Sequence, residues 1–191
     1  NVIDKVDPTY GGNPWSLTAD GISETIYMQD VNGNLVSHLA EDLVQVDDLT
    51  WELTLKDGVK FSDGSDVDAQ AVADGMNAVM AQNPNASATA GVITFAAKDA
   101  KTVTLTTERR TTVMKSILTE WANVVFKGDA ENGYVFTGPY ALADLNPGVS
   151  VSLVPNEYYD DRAAERPNVV LKCFKDTASM QQAFEAGEID M

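Results

Sequence analysis

The residues able to do chemistry are few. One histidine, His38, and one cysteine, Cys173, sit among twenty-nine Asp and Glu and thirteen Lys and Arg. A zinc site wants three or four nitrogen or sulfur ligands, which this inventory does not supply. A nucleophilic cysteine needs a histidine or a cation beside it to form thiolate. His38 is far from Cys173 in sequence, and the run Val169-Val170-Leu171-Lys172-Cys173-Phe174 reads as a strand that buries the thiol as a small apolar group. A Ser-His-Asp triad would have to draw on His38, and a lone histidine is far more often structural. Carboxylates are so abundant that no pair stands out for acid–base work. The chain has no Gly-rich phosphate loop ending in Lys-Ser/Thr, no GxGxxG after a strand and no GxSxG elbow. Residues 30–34, Asp-Val-Asn-Gly-Asn, carry the group types of a calcium loop, but the glycine stands at the wrong offset, so the stretch reads as a turn. Asn85-Ala86-Ser87 matches a glycosylation sequon by pattern alone. The expectation is a protein that is not an enzyme and takes no cofactor.

Charge narrows the partners. A net charge of −16 opposes nucleic acid, whose binding rests on cations that neutralise phosphates, and it opposes adsorption to an anionic membrane. An acidic surface serves solubility. Apolar content of 44% with 22% charged residues is that of a chain able to pack a core. Its 191 residues suit one domain or two small subdomains sharing a core. No window approaches eighteen apolar residues. The sequence starts in mature-looking residues and stops just after Phe-Glu-Ala-Gly-Glu-Ile-Asp, which suggests a piece trimmed from a longer protein.

The elements that must position any site follow from periodicity. Residues 2–6 read as a short strand, 7–16 as a Gly- and Pro-rich loop, 18–28 as a helix with Ile22, Ile26 and Tyr27 on one face. Residues 38–46 read as a helical turn entering a strand. Trp51, Leu53 and Leu55 alternate with Glu52, Thr54 and Lys56, the mark of a half-buried strand. Asp57-Gly58 turns the chain, Val59 and Phe61 make a second short strand, and Asp63-Gly64 turns it again. Asp68 is placed to cap a helix starting at Ala69, with Val72, Met76, Val79 and Met80 on its buried face, ending near residues 82–85. Residues 92–107 read as a hairpin turning at Lys98-Asp99, 112–125 as helix then extended chain, and 128–133 as a loop. Two strands flank Asn146-Pro147-Gly148, a further strand covers 168–174, and residues 179–186 form a helix closed by Gly187 with Met180, Ala183 and Phe184 on one side. This mixture predicts an α/β or α+β fold with a mixed sheet.

Read together, three stretches resemble the family 5 extracellular solute-binding proteins, the dipeptide, oligopeptide and nickel receptors of ABC importers. The first is the run Trp51, Leu53, Leu55, Lys56, Gly58, Val59, Phe61, Asp63, Gly64, Val67, Ala69 and Val72. The second is Thr137-Gly138-Pro139-Tyr140, similar to the family's Gly-Thr-Gly-Pro-Tyr turn. The third begins at Asn156-Glu157-Tyr158-Tyr159 and runs through a strand to the helix ending in Ala186-Gly187-Glu188-Ile189-Asp190. Asp7-Pro8 fits the family's Leu-Asp-Pro entry, and the resemblance covers essentially the whole chain. Phe136, Tyr159 and Ala71 depart from the family's usual Gly, Trp and acidic residue.

The resemblance implies an α/β, mixed-sheet lobe of the type II periplasmic-binding-protein kind, truncated to the first lobe. Residues 1–25 and 135–191 would form a hinge-proximal subdomain, residues 26–134 an inserted one, and the second lobe would be absent. It implies the substrate-binding component of an importer, closing two lobes on a small ligand and delivering it to ABC permease subunits. The protein would be exported, working in the periplasm or at the extracellular face of the bacterial membrane. Half a cleft cannot desolvate a ligand, so this piece alone is expected to bind weakly, and its uncovered apolar surface is expected to favour self-association. By the same resemblance the ligand wall falls on Gly12, Asn13 and Trp15, on Ser87 and Ala88, and on Trp121 and Asn123. Residues 83–91 and 118–126 contain no Arg, Lys or His, where nickel-type receptors hold an anionic chelate with basic groups. The expected ligand is therefore a small peptide, held by main-chain groups and aromatic walls. A metal-chelate receptor of the same family and a sensor module without transport are the alternatives.

Overall fold

The computed structural model describes residues 5–160 and 163–190. The strand expected over 2–6 lies largely outside these residues. Helix α1 spans Asn13–Ala19, and a two-stranded hairpin, β1 (Met28–Gln29) and β2 (Leu35–Val36), follows. Strands β3 (Ala40–Gln45) and β4 (Thr50–Leu55) lead to helix α2 (Ala69–Gln82), then to β5 (Ile93–Ala97) and β6 (Thr102–Thr107). A single turn of helix, α3 (Met114–Ile117), precedes the hairpin β7 (Phe126–Asp129) and β8 (Gly133–Phe136). Strands β9 (Tyr140–Asn146), β10 (Ser150–Pro155) and β11 (Val169–Lys172) and helix α4 (Thr177–Glu185) complete the chain.

Two antiparallel sheets organise it. One has the order β3-β4-β6-β5, with Trp51 opposite Leu105 and Leu53 opposite Val103. The other has the order β11-β10-β9. In β4 the alternation read from the sequence holds: Trp51, Leu53 and Leu55 are buried while Thr50, Glu52 and Thr54 are half-exposed. Helix α2 lays Val72, Met76, Val79 and Met80 on this sheet, and the Asp68 carboxylate accepts from the Ala71 amide at 2.8 Å as its cap. At Gly75 the helix touches the Phe126 carbonyl so closely that a Cβ would lie 2.5 Å from the oxygen. One apolar core joins these elements to Leu17, Ile22 and Ile26 and to Val151 and Leu153 of β10.

The stretch between β4 and α2 works as a junction. The second strand expected at Val59 and Phe61 is reduced to a bridge between Lys60 and Asp66 around the Asp63-Gly64 turn. Gly64 has φ +83°, and Tyr158 packs where its Cβ would be. The Asp63 carboxylate holds the Lys127 ammonium at 2.7 Å, and Lys127 also reaches the Ser65 hydroxyl. The turn therefore ties the β7–β8 hairpin and the 156–159 turn to the start of α2. The Gly138-Pro139-Tyr140 turn is equally constrained. The Gly138 amide donates to the Ile22 carbonyl and the Tyr140 amide to that of Gly21, and a Cβ at Gly138 would fall 2.4 Å from the Gly21 oxygen.

Five local expectations are corrected. The helix expected over 18–28 is instead α1, which starts earlier, with Pro14 in its first turn. Gly21, at φ +74°, ends it, and both Ile22 and Ser23 donate back to the Leu17 carbonyl. Ile22 and Ile26 are buried on bent, non-helical chain past that stop. No helical turn precedes β3. The Ser37 hydroxyl accepts from the amides of Leu39 and Ala40 and directs the chain straight into the strand. Of 112–125 only α3 is helical, and the loop expected over 128–133 is mostly the β7–β8 hairpin, tightened by Asp129 accepting from the amides of Glu131 and Asn132. Cys173 is exposed, because it follows β11 at the edge of its sheet, where only alternate residues are half-covered.

Candidate functional site

Hydrogen bonds link the three segments on which the expected residues lie, through Gly11, Asn83, Asn85, Thr89 and Glu120 rather than through any of the seven. Residues 7–12 are folded by Asp7, which accepts from the Thr9 amide at 3.0 Å, the Thr9 hydroxyl at 2.7 Å and the Lys5 ammonium at 3.1 Å. Partial burial works against its charge, but these donors hold the acid below the usual carboxylate range. Thr9 reaches Gln82 at the end of α2 at 3.4 Å. The Gly11 carbonyl accepts from the side-chain amide of Asn83 at 3.1 Å and of Asn85 at 3.5 Å. Asn83 is fully buried, and its Oδ1 accepts from both the amide and the side chain of Asn85. Further along the same loop, the Thr89 hydroxyl donates to Glu120 at 3.2 Å. A chain of hydrogen bonds thus runs from Gly11 through the 83–89 loop to Glu120.

The expected residues occupy different depths of this wall. Gly12 and Ala88 are exposed, and Trp15 is about half exposed at 49%. Asn13 spends its side-chain amide on the Lys5 carbonyl at 2.9 Å. Ser87 is half-buried, its carbonyl accepting from the Gly91 amide. Trp121 is half-buried against the core. Asn123 is fully buried. Its side-chain amide donates to the Ile117 carbonyl at 3.3 Å, and its Oδ1 has no partner. It therefore shapes the 117–123 loop from inside. Sequence reasoning missed Asn83, Asn85 and Tyr10, which is 59% exposed with the Lys5 ammonium 3.5 Å above its ring. The polar Asn-Pro-Asn turn after α2 was the available signal for the first two. None of the seven expected residues lines the groove between α2 and β7 (Asp68, Asp74, Gly75, Phe126, Lys127) or the one beside Asp7, Tyr134 and Leu142. Of the seven, Gly12, Trp15 and Ala88 are exposed.

The tertiary structure brings both Glu108 and Arg109 next to Gly91, with a carboxylate oxygen 2.9 Å and a guanidinium nitrogen 3.1 Å from where a Cβ would sit, and Glu108 also accepts from the Val92 amide. No sequence window around the loop revealed that cation. Among the described residues, no group of three or more His, Cys, Asp or Glu is placed to hold a metal ion. No helix among them is long and apolar enough to cross a membrane.

Helices packed on antiparallel sheets give an α/β fold that solved relatives share. The chain belongs to the bacterial extracellular solute-binding proteins, family 5, whose middle-region model matches residues 34–191. It is 27% identical to the probable D,D-dipeptide-binding periplasmic protein DdpA of Escherichia coli K12, an alignment covering 97% of this chain and 40% of that protein. Its fold is similar to the nickel ABC transporter structure from Bacillus halodurans, at 25% identity and a TM-score of 0.84, over 98% of this chain and 40% of that one. It is also similar to the Escherichia coli murein tripeptide binding protein MppA, at 21% identity and a TM-score of 0.81, over 99% and 43% of the two chains. The chain thus spans about 40% of the length of the relatives it matches.

Proposed function

We propose that this chain contributes one wall of the ligand cleft of an importer's substrate-binding component, and that the ligand is a small peptide. The observation that carries this reading is the continuous loop face from Gly11 through Asn83 and Thr89 to Glu120, with Tyr10 and Trp15 exposed beside it. Such a face offers carbonyls, amides and aromatic surface, the groups that hold a peptide backbone. The relatives include a probable dipeptide binder and a murein tripeptide binder, which supports the same reading. Gly12, Asn13, Trp15, Ser87, Ala88 and Trp121 are proposed to face the ligand, and Asn123 to position them. In the whole protein a second lobe closes over this face, and the closed form is delivered to ABC permease subunits outside the cytoplasmic membrane. As an isolated stretch the chain self-associates through Val170, Met180 and Phe184, all exposed.

Arg109 favours a second reading, in which the ligand is an anionic metal chelate held from the Gly91 side. Native mass spectrometry of the full-length polypeptide, purified without refolding, separates the two. A ladder of released masses fitting short peptides supports the peptide reading. A metal or chelate mass, lost when Arg109 is replaced by Met, supports the other. A clean apo mass for a protein that also ignores added peptides overturns both.

A further inference from the structure

Away from the loop face lies a polar cluster that the wall does not use. Glu24 is 2% exposed, yet its carboxylate has two side-chain donors. The Tyr159 hydroxyl donates to Oε1 at 3.0 Å, and His38 Nδ1 lies 3.1 Å from Oε2. The His38 and Tyr159 rings pack against each other with centroids 4.3 Å apart. We propose that Glu24, His38 and Tyr159 form a proton-operated clasp, fastening the 156–159 turn to the 24–27 segment while His38 carries both ring protons.

The three residues come from three elements and meet nowhere else. Glu24 lies on extended chain beside the 124–125 segment, its carbonyl accepting from the Val125 amide. His38 lies in the turn before β3. Tyr159 ends a turn fixed by Asn156, which is buried and gives its side-chain amide to the Gly138 carbonyl at 2.8 Å while accepting from the Tyr158 amide. Tyr158 reaches the Gly64 side and Tyr159 the Glu24 side, so adjacent tyrosines fasten one turn to two bodies of the fold.

The imidazole decides how firmly the second fastening holds. Its Nδ1 faces the Glu24 carboxylate, and its ring lies against that of Tyr159. A neutral imidazole keeps that bond only as its Nδ1–H tautomer, and then without the charge that strengthens it. Losing the proton also leaves a buried carboxylate without its cation. The other charged groups around it are Lys56, which donates to the Ser37 carbonyl and disfavours the imidazolium, and the Asp160–Arg166 pair, whose guanidinium stacks 5.3 Å from the Tyr159 ring. The balance lies above the ordinary 6.5, with the Glu24 hydrogen bond the largest cause and desolvation opposing it. A raised value means the stabilisation is fully present below 6.5 and is lost as pH climbs through the native value. Since Glu24 is bonded to Val125, just past Trp121 and Asn123, the slackening reaches the inner side of the loop face.

Hydrogen–deuterium exchange of the full-length protein, corrected for the intrinsic pH dependence, tests this. Protection of peptides covering 24–27 and 156–160 should fall as pH rises from 6 to 9, by about tenfold for each unit by which the native value exceeds the free one. His38→Gln should give a flat profile, and Tyr159→Phe lower protection that keeps its pH dependence. A His38→Gln profile matching the parent's, or a flat parent profile, overturns the clasp. If the Gln variant does not fold, the parent's own imidazole titration decides. The resonance showing contact with the Tyr159 ring should have its midpoint above 6.5, and a midpoint at or below that value overturns the proposal.

Discussion

Helices α2 and α4 carry the same kind of local message and meet opposite fates. Each begins at an aspartate whose carboxylate accepts from the amide three residues on, Asp68 to Ala71 at 2.8 Å and Asp176 to Ser179 at 2.7 Å. Each repeats apolar residues at helical spacing. In α2 this places Val72, Ala73, Met76, Val79 and Met80 in the core. In α4 only Ala183 is buried, while Met180 and Phe184 are 44% and 54% exposed. The strands β4 and β11 differ in the same way. Strand β4 buries every second residue completely, whereas β11 half-covers Val169 and Leu171 and exposes Val170. An amphipathic pattern encodes a helix and a preferred side. Whether that side is covered depends on what the rest of the fold puts there.

The sharpest way to break this comparison is to truncate the equivalent residues. Met76→Ala removes a fully buried side chain and should cost about 2–5 kcal/mol, read as a lower denaturation midpoint with an unchanged slope. A cost under about 1 kcal/mol would mean that α2 is not the packed element described. The caps come next. Asp68→Ala should lower global stability by about 1 kcal/mol, since α2 is part of the core. Asp176→Ala removes the same bond, yet its effect should stay local, seen as faster hydrogen exchange in α4 with little change in the global midpoint.

A smaller effect concerns the junction that holds the α2 side together. Burial opposes the charge on Asp63, but hydrogen bonds from Lys127 and Ser65 pull its acid down to about 2 from 3.8. A depressed value means the stabilisation is present above pH 3.8 and is lost as pH falls towards 2. Both partners are partly exposed, so the contribution should be modest and should shrink with salt. Thermal unfolding between pH 5 and 2 should show a flatter acid limb for Lys127→Met. The smallest expected effect is Met180→Ala, within about 0.5 kcal/mol in the 191-residue chain. A loss matching that of Met76→Ala, measured in the full-length protein, would show that its further residues cover this helix.

Much of the scaffold was legible because it rests on short-range rules. The alternation at Trp51, Leu53 and Leu55, the Asp68 cap, the 92–107 hairpin and the strands around Asn146-Pro147-Gly148 all depend on neighbours within a few residues. Failures fell where two local rules competed over the same residues. Ile22 and Ile26 have helical spacing, but the Gly21 turn ends the helix before them. Cys173 failed differently: the strand was right, but its place at a sheet edge could not be read from its own residues.

The sequence by itself determined the caps, the turn glycines, the strand periods and, through three motif stretches, the family. Each of these is set by backbone sterics and hydrogen bonds between near neighbours. Only the tertiary structure decided the contacts that cross the chain. Asn83 meets Gly11 across 72 residues, Thr89 meets Glu120 across 31, and Tyr159 meets Glu24 across 135. Such pairs gain their energy only after the intervening chain has closed its loops and water has been excluded, so no local pattern announces them.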